Sequence, residues 1–208
     1  MNIKIIDQFL NEEDLKEISL IKLKEIGKEE IKVYHNSIGK DGKIISECIK
    51  PSTIERLHKN YHKIALEVLK NLNSAKLDLY DFSEFHIIET GANYKFPIHD
   101  DTPNKLLSGV IYIKPKFNSG TKFYKTKHGD DEKKIEWKVN RGVFFSRIER
   151  ETWHSYSGDN KSNRIALVYN LMTKRIKNVY KVEKKNYFFG QFRYKINPYL
   201  YRFFKFTI

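Results

Sequence analysis

Two short patterns in this chain combine an imidazole with a carboxylate at a spacing that a metal site can use. His99 and Asp101 lie two residues apart, at the end of the segment 94–98. In extended chain, side chains two residues apart point to the same side, so both can bind one ion. His128 and Asp130 have the same spacing, but they lie in a run of Lys, Gly and Asp that is typical of a solvated turn. We therefore predict that His99 and Asp101 bind a metal and that His128 lies in a surface turn.

His154 is the candidate for a third ligand. It lies between Trp153 and Tyr156, shortly after the apolar segment 143–146. Two His and one carboxylate on one face of an octahedron leave three positions open, as in Fe(II) oxygenases. A structural zinc site closes its coordination with four ligands, usually including thiolates, and Cys48 is the single cysteine of the sequence. The pattern therefore favours a catalytic metal over a structural one.

Arg164 is the candidate for binding an anion. It follows His154 by ten residues, with the turn-forming residues 157–160 between them, and it begins the apolar segment 165–169. If the chain reverses about Asp159, His154 and Arg164 can face the same interior. A buried Arg is costly without an anion, and a carboxylate ligand can supply one through a bidentate pair. The alternative is an exposed Arg at the end of a strand.

The first 80 residues predict a short strand at 3–6 and two amphipathic helices. Asn11 can cap the first helix, which places Leu15, Ile18 and Ile26 on one face. The second helix follows Pro51, with Ser52 and Glu55 at the spacing of a capping box, and has apolar residues every three or four positions up to residue 72. Each helix has one apolar stripe, so we expect both to pack against a flat apolar surface.

From about residue 81, the sequence changes to short branched or aromatic segments separated by turn residues. The predicted strands are residues 85–88, 106–113, 122–124, 135–139, 143–146 and 165–171. Strands joined this closely make an antiparallel sandwich or barrel, braced by the two N-terminal helices.

Length and composition favour one domain. The 208 residues divide into a helical brace (1–80), a β core (81–172) and a basic aromatic C-terminal extension (173–208). No apolar stretch approaches the roughly 20 residues of a membrane-spanning helix, and the first residues lack the features of a secretory signal. A single cysteine excludes an internal disulfide, so we expect a cytoplasmic protein whose mature chain begins at Met1.

The excess positive charge is concentrated in the C-terminal extension. Residues 174–208 have ten Lys and Arg against one acid, a net charge of +9 out of +13 for the chain. Eleven Tyr and Phe are interleaved with these charges from residue 180 onwards. Such a segment can bind single-stranded nucleic acid, lie on an anionic membrane, or pack its aromatics on the core while its charges stay in water. All three alternatives remain open.

The set His99-x-Asp101, His154 and Arg164, preceded by two helices and set among short strands, resembles the Fe(II)/2-oxoglutarate-dependent dioxygenase superfamily, in its prolyl 4-hydroxylase-like branch. The resemblance covers roughly residues 80–172. It implies a double-stranded β-helix (a jelly-roll, cupin-like barrel), with the strands of His154 and Arg164 in opposite sheets. It also implies Fe(II) on His99, Asp101 and His154, 2-oxoglutarate on Arg164, and O2 as co-substrate. The implied reaction converts 2-oxoglutarate to succinate and CO2 while a C–H bond of a substrate is hydroxylated.

The sequence departs from the family pattern at the second co-substrate contact. Relatives often have a Tyr three residues before a Gly, where this chain has Ile88 before Gly91, so Tyr94 and Tyr112 become the candidates for that contact. Asn170 replaces a second Arg that is typical of the nucleic-acid demethylases, which argues against that branch. Asp101 is retained where related halogenases have a small residue, which favours hydroxylation.

Several alternatives remain at this stage. The substrate can be a small molecule, an amino-acid residue or a glycan-type compound. A binding module that uses the basic extension for nucleic acid or an anionic surface is the alternative from another class, and an enzyme with another metal and no 2-oxoglutarate is a third. His58 and His62, four apart on the second helix, lack the Glu of an HExxH zinc motif, so we predict that they lie on a solvated face.

Overall fold

The computed structural model describes residues 2–204, which form twelve strands, four α-helices and one 3-10 helix. The strands are β1 (Ile3–Ile6), β2 (Ile31–Tyr34), β3 (Ser37–Gly39), β4 (Ile44–Ser46), β5 (Phe82–Thr90), β6 (Lys95–His99), β7 (Lys105–Lys114), β8 (Lys122–Tyr124), β9 (Lys133–Lys134), β10 (Gly142–Phe145), β11 (Trp153–Ser157) and β12 (Arg164–Met172). The helices are α1 (Glu12–Leu20), α2 (Pro51–Asn73), α3 (Ile176–Val182) and α4 (Tyr187–Phe204), with the 3-10 helix at Ser74–Leu79.

The strands form two antiparallel sheets. Eight strands make the large sheet in the order β1-β10-β7-β12-β5-β3-β4, with β2 also paired to β5. Four strands make the small sheet in the order β6-β11-β8-β9. The central strand of the large sheet, β12, pairs along its whole length with β5 on one side and with β7 on the other.

The sheets do not close into a barrel, so the barrel predicted from the sequence is wrong in that respect. They are two separate hydrogen-bonded sheets whose inner faces meet through a small aromatic core. Phe123 of β8 packs edge-on against Phe145 of β10, with their ring centroids 5.2 Å apart. Between the described residues of the two sheets, the contact is made by side chains rather than by a continuous ladder, which leaves space for a site.

The two N-terminal helices cover the outer face of the large sheet, as predicted. The face of α2 that is buried repeats every three or four residues, with Ile54, Leu57 and Ala65 fully buried. Strand β5 alternates strictly, so that Phe85 and Ile87 point towards the helices. These residues form the main core of the protein, on the opposite side of the sheet from the candidate site.

Two details of the helices differ from prediction. Helix α2 begins at Pro51 with Lys50 as its N-cap and no side-chain cap, so the predicted capping box of Ser52 and Glu55 is wrong. Proline suits the first helical position because its φ is already helical and its missing N–H needs no acceptor there. Asn11 does cap α1, but that helix ends at Leu20, so Ile26 lies beyond it.

The predicted strands at 3–6 and 122–124 have the predicted bounds, the one at 143–146 lies one residue earlier, and those at 85–88, 106–113 and 165–171 are longer in the structure. One predicted strand is not formed. Residues 135–139 contain no regular strand, although Ile135 and Trp137 are buried between the sheets and the residue between them is exposed. The alternation of apolar residues therefore reported burial correctly but not strand pairing. The three short strands β2, β3 and β4, which pair with β5 or with each other, were not predicted.

The C-terminal extension folds into α3 and α4, with the remaining residues 205–208 outside the described range. Of the three alternatives for this extension, the one in which its aromatics pack on the core while its charges stay in water does not hold for α4. Arg193 is 5% exposed, whereas Phe188 is 81% exposed and Tyr199 is 65% exposed. Within residues 2–204, no helix combines the length and the apolar character that crossing a membrane requires.

Candidate metal centre and co-substrate pocket

The small sheet places two histidines side by side. Strands β6 and β11 are antiparallel neighbours, and His99 lies directly opposite His154 in their register. The two imidazole centroids are 4.2 Å apart. Asp101 follows two residues after His99, just beyond the end of β6, and one ligand atom from each of the three residues lies within 4.8 Å of the others. The structure therefore brings together the three residues that the sequence predicted as metal ligands.

A backbone carbonyl orients each imidazole in the same way. The Nδ1 atom of His99 is 2.9 Å from the carbonyl oxygen of Pro97, and that of His154 is 3.0 Å from the carbonyl oxygen of Thr152. In the neutral tautomer Nδ1–H donates to this oxygen, which leaves the lone pair of Nε2 for a metal. Burial, reinforced by the neighbouring His154, lowers the pKa of His99 to about 3, so this ring is neutral at physiological pH.

Asp101 is a buried carboxylate that two neighbours hold in place. Its Oδ1 accepts a hydrogen bond from Lys105 Nζ at 2.7 Å, and its Oδ2 accepts one from Ser108 Oγ at 2.5 Å. Burial acts to raise the pKa of Asp101, but the charge of Lys105 and its hydrogen bond to the carboxylate hold this pKa well below its usual range. The group is therefore ionised, which is the form that binds metal. A cation at this site would compete with Lys105 for the carboxylate.

Arg164 lies at the start of β12, opposite Thr90, and is 7% exposed. Three aromatic rings surround its guanidinium, with the centroid of Tyr156 at 3.8 Å and those of Tyr112 and Trp137 at 5.5 Å. Among the described residues, no Asp or Glu forms an ion pair with it. Burial lowers the pKa of Arg164, although nearby Tyr156 and Tyr112 oppose the shift. Arginine nevertheless stays charged in proteins, so this buried charge has no counter-ion within residues 2–204.

A cavity of about 160 Å³ between the two sheets joins the metal-ligand group to this arginine. Its lining includes His99, Asp101, His154, Ser108, Tyr156, Arg164 and Asn170. Of the two tyrosines predicted to contact the co-substrate, Tyr94 lines this cavity, whereas Tyr112 lies beneath Arg164 with its hydroxyl donating to Thr121 Oγ1 at 2.9 Å. Sequence reasoning missed Tyr156. Its position two residues after His154 on one strand was the available signal, because such residues share a face.

A larger cleft of about 680 Å³ opens on the other side of His99 and Asp101. The segment 94–103 forms one of its walls, and Tyr194, Asn197 and Pro198 of α4 form part of another. Arg193 fixes α4 there, because its NH2 group is 2.7 Å from Asp100 Oδ2 and 2.9 Å from Glu149 Oε1. Asp100 is the residue between the two predicted ligands His99 and Asp101. The C-terminal extension is therefore a wall of a cleft that reaches the metal-ligand group.

The remaining histidines stand apart from this group. His128 is exposed in the turn between β8 and β9, as predicted. His58 and His62 are half-buried and stacked, with centroids 4.5 Å apart, so the predicted solvated face is wrong. His62 also packs against Tyr80, at 4.9 Å. Among the described residues, the His99, Asp101 and His154 set is the one cluster of three or more His, Cys, Asp or Glu with ligand spacing.

Comparison with known proteins finds no match by sequence. No family model matches the chain, and no curated protein matches it. Solved structures do match. A prolyl-4-hydroxylase from Pseudomonas putida has a TM-score of 0.56 at 12% identity, over 83% of this chain and 92% of that one. The two antiparallel sheets with their few helices are consistent with the double-stranded β-helix fold of such oxygenases.

Two further structures give the same result. An oxidoreductase of the 2OG-Fe(II) oxygenase family from Burkholderia pseudomallei has a TM-score of 0.58 at 14% identity, covering 82% of this chain and 84% of its own. A prolyl hydroxylase from Trichoplax adhaerens, in complex with a peptide fragment of hypoxia inducible factor, has a TM-score of 0.54 at 15% identity, covering 84% and 85%. These likenesses are consistent with the double-stranded β-helix that the sequence resemblance implied, although the sheets do not close into a barrel. The strands of His154 and Arg164 lie in opposite sheets.

Proposed function

We propose that this chain is a non-haem Fe(II) dioxygenase that uses 2-oxoglutarate and O2 to hydroxylate a C–H bond of its substrate. The observation that carries this proposal is the buried guanidinium of Arg164, which has no acidic partner among residues 2–204 and shares a cavity with the His99, Asp101 and His154 set. An unpaired buried charge is costly, and a bound dicarboxylate would supply the missing anion. A metal site without 2-oxoglutarate would leave this arginine without a purpose.

The residues present fit the metal that the fold implies. Two Nε2 atoms and one carboxylate oxygen form a set of three that leaves the rest of the coordination sphere open for small ligands. When bound, iron and 2-oxoglutarate would together activate O2 for oxidation of the substrate. In the proposed arrangement His99, Asp101 and His154 hold the ion, Arg164 binds the distal carboxylate of 2-oxoglutarate, and Tyr156 holds the guanidinium in position. Tyr94 is the remaining candidate for a further co-substrate contact.

We assign the larger cleft to the substrate. It reaches His99 and Asp101 from the side opposite Arg164, and its aromatic wall includes Tyr94, Phe96 and Trp153. Its volume of about 680 Å³ lies within the range of roughly 300–1,000 Å³ that is usual for small-molecule sites. Because one structural neighbour is a prolyl hydroxylase with a bound peptide fragment, we include a peptide with small molecules and glycan-type compounds as candidate substrates. The enzyme is proposed to act in the cytoplasm.

The first test is spectroscopic and needs no knowledge of the substrate. Anaerobic protein mixed with Fe(II) and 2-oxoglutarate is expected to develop a visible metal-to-ligand charge-transfer band. The variant His154→Ala is expected to lose the band, whereas His35→Ala, which removes an exposed histidine elsewhere, is expected to retain it. A band that persists in His154→Ala would refute the ligand assignment.

The alternatives predict different outcomes. A binding module without a metal site shows no band with the unmodified protein. An enzyme that uses another metal and no 2-oxoglutarate keeps its turnover in Arg164→Ala. If the band is present, pools of small molecules and peptides can be screened for substrate-dependent release of succinate, which would identify the substrate class.

A further inference from the structure

Helix α4 has one face fixed to the protein. At Gly190 the helix backbone lies against the ring of Tyr180, and a Cβ there would be 2.2 Å from a ring carbon, so only glycine allows this approach. Arg193, three residues later, is buried in its ion pairs with Asp100 and Glu149. These two positions determine which side of α4 faces the protein.

The opposite side of α4 presents a stripe of exposed aromatic rings. We define this aromatic stripe as Phe188, Phe192, Tyr199 and Phe203, which are 81%, 56%, 65% and 68% exposed. At about 100° per residue, the four positions fall within roughly 60° of one another around the helix axis. Exposed large apolar residues in such a row are unusual on a soluble surface and mark an interaction site.

Basic residues accompany the aromatic stripe. Lys195 and Arg202 are exposed and flank it on one side, and the Arg202 guanidinium lies 5.8 Å from the ring centroid of Phe203. Helix α4 contains no Asp or Glu. The exposed surface of this helix therefore combines aromatic rings with positive charge and offers nothing to repel an anionic partner.

We infer that the aromatic stripe binds the surface of an anionic phospholipid bilayer, with α4 lying in the plane of the headgroups. Interfacial helices use this combination of aromatic and basic side chains, which gain from apolar burial and from attraction to anionic lipids together. Proteins that bind single-stranded nucleic acid hold the strand in a groove, so nucleic acid is less suited to this site. The aromatic stripe lies on the outward-facing side of a helix, which matches a flat surface.

The position of α4 also suggests where the substrate is held, and this step alone rests on the proposed function. Tyr194, Asn197 and Pro198 of the same helix line the cleft that we assign to the substrate. A bilayer against the outer face of α4 would therefore lie beside the mouth of this cleft. A substrate that is itself held at the membrane surface would then reach the metal site without leaving the interface.

Co-sedimentation of the full chain with lipid vesicles tests the inference. We expect binding to phosphatidylcholine vesicles that contain phosphatidylglycerol, weaker binding to phosphatidylcholine alone, and loss of binding at high salt. The double variant Phe192→Ser, Tyr199→Ser is expected to bind at least about tenfold more weakly, because two aromatic contacts are removed. Phe117→Ser, which replaces a 75% exposed phenylalanine outside α4, is the matched control and is expected to bind like the parent.

Two results would contradict membrane binding by the aromatic stripe. Absence of vesicle binding, or equal binding of the double variant and the parent, would overturn the inference. Binding to a single-stranded oligonucleotide that the double variant loses, without vesicle binding, would also overturn it in favour of nucleic acid. The Fe(II)–2-oxoglutarate band is expected in both variants, since none of the replaced residues lines the pocket of Arg164. Failure of this inference is therefore distinguishable from failure of the proposed function.

Discussion

Arg164 and Arg193 are two buried arginines on opposite sides of the same metal-ligand group, and they differ in how their charge is balanced. Arg193 is 5% exposed and has two carboxylates within 3 Å, Asp100 at 2.7 Å and Glu149 at 2.9 Å. Arg164 is 7% exposed and is surrounded by aromatic rings, with no acidic partner among the described residues. The protein supplies the counter-ion for one arginine and not for the other.

Under the proposed function, this difference separates a structural arginine, Arg193, from one that binds a ligand, Arg164. A buried pair that is complete fixes geometry, and Arg193 accordingly fixes α4 over the cleft. A buried charge without a counter-ion can bind an anion that arrives from solution, which is what a co-substrate pocket requires. Substitutions at Arg164, Arg193, Tyr156 and His62 test how buried positive charge is balanced in this protein.

The largest effect is expected at Arg164. The variant Arg164→Ala should weaken 2-oxoglutarate binding by at least about 100-fold, because truncating one partner of a buried charge pair costs about 3–5 kcal/mol. Titration of the charge-transfer band with 2-oxoglutarate measures this change. In the absence of 2-oxoglutarate, Arg164→Met should be as stable as the parent or more stable. A marked loss of stability in that state would mean that Arg164 has a structural partner after all.

Replacement of Arg193 should have the reverse profile. The variant Arg193→Met removes the guanidinium that pairs with both Asp100 and Glu149, which should lower the free energy of unfolding by about 3 kcal/mol. Urea denaturation measures this loss, and the further changes Asp100→Asn and Glu149→Gln should recover part of it. The affinity for 2-oxoglutarate in the folded protein should change little. A loss of that affinity as large as in Arg164→Ala would erase the distinction between the two sites.

A smaller effect is expected from Tyr156, the aromatic ring nearest to the Arg164 guanidinium. The variant Tyr156→Leu removes the nearest aromatic face, at 3.8 Å from the guanidinium, and should weaken 2-oxoglutarate binding roughly tenfold, since a desolvated cation–π contact is worth about 1–2 kcal/mol. The variant Tyr156→Phe keeps the ring and loses the hydroxyl, which donates to Asn118 at 2.9 Å. It should retain most of the affinity. Equal losses in both variants would indicate that the hydroxyl, rather than the ring, is what matters.

The smallest effect concerns His62, a half-buried group that avoids an unpaired charge by remaining neutral. Burial, with His58 beside it, lowers the pKa of His62 from 6.5 to about 4. Because the unfolded chain takes up the proton first, the stability that neutral His62 contributes is complete above pH 6.5 and is lost as the pH falls towards 4. The variant His62→Gln should therefore lose less stability than the parent between these values, as followed by thermal denaturation. The exposed control His128→Gln should behave like the parent, and an unchanged profile in His62→Gln would count against this titration.

Two members of the candidate metal-ligand set, His99 and Asp101, could be predicted from the sequence because they are only two residues apart, and extended chain brings such residues to the same side. His154 comes from a separate strand and joins them through the pairing of β6 with β11. The same rule, applied to His154, would have indicated Tyr156. The positive charge of Arg164 could also be predicted from the sequence. The lack of an acidic neighbour among the described residues could not, because it depends on which distant segments the sheets bring close.

The C-terminal helices show where composition is insufficient. Eleven aromatics among basic residues left open whether the aromatics pack inwards with the charges outwards, and in α4 Arg193 is buried while Phe188 is exposed. The orientation of α4 depends on Asp100 and Glu149, which are more than 40 residues away along the chain, and on the fit of Gly190 to Tyr180. Strand pairing had the same limit, since Ile135 and Trp137 alternate like a strand without entering a ladder.

The position of β12 has a consequence for synthesis on the ribosome. This strand is the last of the twelve in the chain, yet it occupies the centre of the large sheet, where it joins β5 to β7. While residues 1–163 emerge, both of those strands have an edge whose partner has not yet been made, and contacts this distant in sequence form slowly. The main sheet therefore stays divided until Arg164–Met172 is made, and that late event joins its two parts and places Arg164 in the candidate anion pocket.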